Sequence, residues 1–134
     1  MNYPSQKLTP FLSFTGKAEE AMKYYENVFD AKIESMVYFE AGQPGETGKV
    51  MNGMMDFDGA KLLFLDMPAE YPAPDFSWAA SLFVSFHDEQ LFDAAFEKIA
   101  DEGTVMMGPE SVNDIRKCCW VTDKFGVTWQ LIWK

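Results

Sequence analysis

At 134 residues the chain is long enough for one domain, or for two half-sized modules that share a core. Its 11 basic against 21 acidic residues leave a formal charge of −10, which repels phosphate backbones and anionic lipid surfaces and argues against nucleic-acid and membrane partners. The composition is 48% hydrophobic and 16% aromatic, with 12 Phe and 4 Trp, enough apolar material for a packed interior or for the walls of a cavity.

No run approaches the roughly 18 consecutive apolar residues of a membrane span. The opening stretch MNYPSQKLTPF has one Lys and no apolar run, so it does not read as an export signal. The two cysteines, Cys118 and Cys119, are neighbours and cannot staple distant segments. Reduced thiols in a chain of this kind make the cytoplasm the expected compartment.

In chain order, KLTPFLSF places Leu8, Leu12 and Phe14 in a period-two pattern, the mark of a half-covered strand. Gly16 permits a turn and a helix cap. Ala18, Ala21, Met22, Tyr25, Val28 and Phe29 then form a stripe at helical spacing, with Glu19, Glu20 and Glu26 on the solvated face. AKIESMVYF reads as a strand and EAGQPGETG as a loop. VMNGMMDF and KLLFLD flank Asp58-Gly59, a tight-hairpin signal. The methionines here, like Met106 and Met107, fit strand packing.

After the Pro- and aromatic-rich MPAEYPAPDFSW the same plan returns. ASLFVSF is a strand, Asp88 a helix cap, and Phe92, Ala95, Phe96 and Ile99 an apolar stripe. EGTVMMGPE reads as a turn, a short strand and a loop; IRKCCWVTD and VTWQLIWK pair across Lys124-Phe125-Gly126. Phe14 corresponds to Phe86 and Gly59 to Gly126. The expected architecture is therefore α+β, two tandem βαβββ modules, at about 8–66 and 79–134, joined by a linker at about 67–78. One helix covers one face of each sheet, so the uncovered faces are expected to enclose a shared cavity.

Paired modules of this kind resemble the vicinal oxygen chelate superfamily, the glyoxalase/bleomycin-resistance/dihydroxybiphenyl dioxygenase fold. Within it the chain is similar to the PhnB-like, "3-demethylubiquinone-9 3-methyltransferase-like" branch. The resemblance is carried by TPFLSFTGKAEEAMKYYENVF, GKVMNGMMDFDG and CCWVTDKFGVTWQLI, and it is weakest from Asp66 to Trp78. It implies curved mixed sheets, a homodimer, and in the superfamily's enzymes a divalent metal held from the first and last strand of each module. Carried onto this chain, those positions are Thr9, Leu63, Ser81 and Gln130, and relatives often have His where Asn52 stands. A Thr, a Leu, a Ser and a Gln do not suit a first-row metal, so neither a metal nor a cofactor is expected. The lone histidine, His87, falls at a strand–helix junction away from that cluster. The methyltransferase label lacks the Gly-rich strand-to-helix turn that a nucleoside cofactor uses.

Alternation puts Thr128 and Gln130 on one face of the last strand and Trp129 and Leu131 on the other. Gln130, Thr128, Thr9, Ser13, Ser81, Ser85 and Asn52, with Leu63, are the candidate lining of the cavity, and Phe11 and Phe83 its aromatic walls. The same residues also suit a filled core. Neutral polar groups among aromatics fit a small, partly apolar ligand, and the expected function is metal-free binding of such a molecule. The alternative is a metal-independent enzyme using a pocket thiol, for which Cys119 is the candidate, or a base supplied by the substrate; a thiol buried as a small hydrophobe is the plainer reading.

Overall fold

The structure, a computed structural model, describes residues 3–134; Met1 and Asn2, the start of the stretch read above as lacking an export signal, lie outside them. The chain divides after Pro74 into two compact units, inside the Pro- and aromatic-rich stretch. No helix among the described residues is long and apolar enough to cross a membrane.

The first unit runs β1 (Phe11–Phe14), α1 (Ala18–Phe29), β2 (Lys32–Tyr38), β3 (Val50–Phe57) and β4 (Ala60–Asp66). Its sheet has the order β1-β4-β3-β2, with β1 parallel to β4 and the other neighbours antiparallel. The hairpin falls at Asp58 and Gly59, whose φ values of 53° and 102° are the left-handed pair that a two-residue turn between twisted strands requires. Helix α1 buries Ala18, Ala21, Met22, Tyr25 and Val28, and Tyr25 packs on Phe64 at 6.1 Å between ring centres. Gly53 lies under Met22, close enough that a Cβ would fall 2.6 Å from its sulfur.

The cap of α1 differs from the sequence expectation. Lys17, not Gly16, occupies the cap position and contributes no side-chain hydrogen bond. The acceptor comes instead from the end of β4: buried Asp66 accepts from the amides of Ala18 at 2.9 Å and Val50 at 3.0 Å. One carboxylate thus satisfies an orphan helix N–H and ties β3 to the helix entrance.

The second unit repeats the plan as β5 (Ser81–Phe86), α2 (Glu89–Glu102), β6 (Thr104–Val112), β7 (Ile115–Thr122) and β8 (Thr128–Trp133), in the sheet order β5-β8-β7-β6. Asp88 caps α2 as its residue type suggests, accepting from the amides of Gln90 and Leu91. Phe92, Ala95 and Ile99 are buried beneath it, along with Trp129 and Leu131 of β8. The β7–β8 turn is organised by buried Asp123, which accepts from the amides of Phe125 and Val127 and from the Trp129 indole.

One expected loop is a strand. Gly108-Pro109 lies inside β6, which continues to Val112 through three register shifts against β7. Strand β6 is an edge strand, where a residue without an N–H costs no ladder bond on its outer side and irregularities are absorbed.

Candidate functional site

Register arranges the face of the second sheet away from α2 into rows. Residues that pair across strands point to the same side. The middle row is Phe83, Gln130, Trp120 and Met107, one residue from each of β5, β8, β7 and β6. On one side of it lies a hydroxyl row, Ser81, Thr128, Thr122 and Thr104. On the other lies Ser85, Ile132, Cys118 and Glu110.

A cavity of about 230 Å³ opens on this face, lined by Phe83, Met107, Cys118, Trp120, Gln130 and Ile132, with Val112 and Ile115 at the β6–β7 end and Cys119 in its floor. Gln130 has a defined orientation, because its Nε2 donates to Ser81 Oγ at 2.8 Å. The carbonyl end, Oε1, is the part of the amide left to accept. The Thr122 and Thr128 hydroxyls bond each other at 2.8 Å, and Thr122 Oγ1 also donates to Met106 Sδ at 3.2 Å, so both O–H groups are engaged and only lone pairs remain.

The sequence-derived candidates separate into groups. Phe83 and Gln130 line the cavity, while Ser81, Ser85 and Thr128 stand on the same face in the flanking rows. Phe11, Leu63, Ser13 and Asn52 occupy the matching face of the first sheet, where Phe11, Leu63, Met54 and Ser35 make the equivalent row. Asn52, Met54 and Leu63 are buried there, and Asn52 Oδ1 and Ser35 Oγ have no hydrogen-bond partner among the described residues. Thr9 precedes β1 and lies on no strand.

Cys119 pairs with Leu131 on the α2 side and is fully buried, and burial pushes its thiol up to about 11. Cys118 is the thiol on the cavity side; burial, then the carboxylate of Glu110, raises it too. Neither has a cation beside it to hold a thiolate. Lys117 is ion-paired with Glu89 and Asp93 of α2, and the Arg116 guanidinium lies over the Trp133 ring at 3.6 Å.

The metal positions implied by the superfamily do not fit a metal. Leu63 has no donor atom, and the Gln130 amide turns its nitrogen toward Ser81, using the pair on each other. Among the described residues no three His, Cys, Asp or Glu side chains gather into a ligand set, and His87 is exposed beside the α2 cap.

Sequence reasoning missed Trp120, Met107 and Ile132 as cavity residues and left open which of Cys118 and Cys119 faces the cavity. The alternation in IRKCCWVT does put Cys118 and Trp120 on one face, but only the pairing of Trp120 with Gln130 says which face that is.

The family model described as 3-demethylubiquinone-9 3-methyltransferase matches residues 6–132. The chain belongs to this family, the PhnB-like branch of the glyoxalase/bleomycin-resistance superfamily. It is similar to the PhnB protein of Bacillus cereus, with 35% identity and a TM-score of 0.85 over 96% of this chain and 100% of that one. A Pseudomonas aeruginosa protein, PA1353, gives the same TM-score of 0.85 at 23% identity, covering 97% of this chain and 98% of that one. The fosfomycin resistance protein FosX of Mesorhizobium loti shares the fold at a TM-score of 0.61 and 13% identity, covering 97% and 92%. No curated protein matches the chain.

Proposed function

We propose that this PhnB-like protein binds a small, mostly apolar molecule, without a metal, on the face of the second sheet that α2 leaves uncovered. The observation that carries this reading is the cavity around Gln130: a volume of about 230 Å³, aromatic on two sides, with one oriented amide. That volume lies just under the usual range for ligand sites, so it suits a molecule of one or two rings. Phe83 is 60% exposed, a large apolar side chain at the cavity mouth that a ligand would cover.

Catalysis through a pocket thiol draws less support. A nucleophilic cysteine needs its thiolate stabilised, whereas burial works against the thiolate at both Cys118 and Cys119. Methyl transfer from a nucleoside cofactor draws less still. The strand-to-helix turns read Thr15-Gly16-Lys17 and His87-Asp88, one glycine between them where a Gly-x-Gly-x-x-Gly turn uses three to let the backbone approach a nucleotide.

Native mass spectrometry of the purified protein, with elemental analysis of the same sample, tests the reading. A retained organic molecule, lost in Gln130→Leu or Trp120→Ala, and no stoichiometric metal is the expected result; the same spectrum is expected to show a homodimer. One Mn, Fe, Ni or Zn per chain would overturn it.

A further inference from the structure

None of the nine residues lining the cavity is basic. Of the two basic residues of β7, Lys117 is held by Glu89 and Asp93 on the α2 side, and Arg116, two residues before Cys118, has its guanidinium stacked over Trp133 with its Nε donating to the Lys134 carbonyl at 2.6 Å. Glu110, by contrast, stands opposite Cys118 in the row next to Gln130, exposed and without an ion-pair partner among the described residues. Gln130 gives one of its two N–H groups to Ser81, which leaves Oε1 as an acceptor and one N–H as a neutral donor. The rest of the middle row is aromatic or soft, Phe83, Trp120 and Met107, surfaces whose faces carry negative charge density.

We propose that the ligand is an organic cation, an aromatic ring bearing a protonated amine on a short chain, with the ring in the Phe83–Gln130–Trp120–Met107 row and the ammonium toward Glu110. The inference rests on the binding reading above and adds the charge class to it. Neighbouring rows on this face are two residues apart along β5, β8 and β7, roughly 7 Å, and three apart along β6, where the ladder shifts between Met107 and Glu110. That spacing is comparable with the reach from an aromatic ring to an amine two carbons away. An anionic ligand of the same shape would meet a carboxylate, an amide oxygen and two aromatic faces, with no basic lining residue to compensate. The chain's formal charge of −10 acts in the same direction at longer range.

Three probes of matched shape separate the charge class from the existence of the site: 2-phenylethylamine, 2-phenylethanol and 3-phenylpropanoate, titrated against the full chain by ligand-observed NMR at low salt. The amine is expected to bind roughly tenfold more tightly than the alcohol, the sum of one partly exposed charge pair and one cation–π contact, and the propanoate least. Glu110→Gln, at an exposed strand position, should shrink the amine's margin over the alcohol from roughly tenfold to about two- to threefold, the part left by the cation–π contact, and leave the alcohol's affinity as it was. Added salt should weaken the amine and not the alcohol. If alcohol or propanoate binds as well as the amine, or if Glu110→Gln changes nothing, the charge class is overturned while the binding site stands. If no probe binds, or binding is unmoved by Trp120→Ala in a variant that keeps its far-ultraviolet spectrum, both readings fall.

Discussion

Replacing Asp66 by Ala should destabilise the fold well beyond the usual effect of a single substitution, and the reason is a local shortage of acceptors. Ala18 is the first residue of α1, so its N–H has no carbonyl within the helix to bond. Lys17 supplies no side-chain cap, and the carboxylate of Asp66 is what the Ala18 and Val50 amides find instead, at 2.9 and 3.0 Å. Asp66 is 3% exposed, so water does not readily take its place. Leaving two buried N–H groups unsatisfied costs about 1–3 kcal/mol each, and losing a negative charge at a helix N-terminus adds about 0.5 kcal/mol. Relief from burying the carboxylate offsets part of this, and a net loss of about 3–4 kcal/mol is expected. For a chain of this length that lowers the melting temperature by roughly 10 °C. Asp66→Asn keeps one acceptor oxygen but turns an NH2 toward the second amide, and should lose about 2 kcal/mol. Urea denaturation followed by circular dichroism gives the free energies, and hydrogen exchange at Ala18 and Val50 localises them. A loss under about 1 kcal/mol for Asp66→Ala, or unchanged exchange at both amides, would refute the assignment of the cap.

Gly103→Ala should be worse tolerated, by more than about 3 kcal/mol, although its φ of −114° suits any residue. A Cβ there would run into the backbone carbonyls of Thr122 and Ile99, which cannot turn aside as a side-chain tip can. Soluble, cooperatively melting Gly103→Ala with a wild-type midpoint would contradict that contact. Alkaline pH gives a further handle through Cys119, whose thiol is pushed from an ordinary 9.0 up to about 11 by burial. A raised value means that its contribution is complete below about pH 9, where the unfolded chain also keeps the proton, and is lost as pH rises through about 11. Urea midpoints measured from pH 8 to 11 should fall more steeply for the wild type than for Cys119→Ala; parallel slopes would count against a buried neutral thiol.

Much of the fold was legible because short-range physics writes it into local pattern. The alternation of Leu82, Val84 and Phe86 with Ser81, Phe83 and Ser85, the stripe from Ala18 to Val28, the turn at Asp58-Gly59 and the cap at Asp88 each follow from neighbours a few residues apart. The face of Gln130 was legible too, since Trp129 and Leu131 had to go under the helix. Less legible were features settled by partners far along the chain. Asp66 reads as the end of a strand, and its role depends on an amide 48 residues earlier. Gly108-Pro109 reads as a loop until an edge strand takes it in.

The sequence by itself determined that the chain is a duplicated βαβββ protein, which side of each strand is apolar, and that the superfamily's metal positions hold Leu63 and Gln130 rather than acids or histidines. Tertiary structure alone decided what stands beside Gln130. Parallel pairing of β5 with β8 sets Phe83 next to it, and antiparallel pairing with β7 sets Trp120 on its other side, with Cys118 rather than Cys119 toward the cavity. A shift of one residue in either pairing would exchange every one of these side chains for its neighbour on the opposite face, because side chains alternate with a period of two. Composition and periodicity place residues on faces; only register, fixed by contacts between distant strands, assembles a site from them.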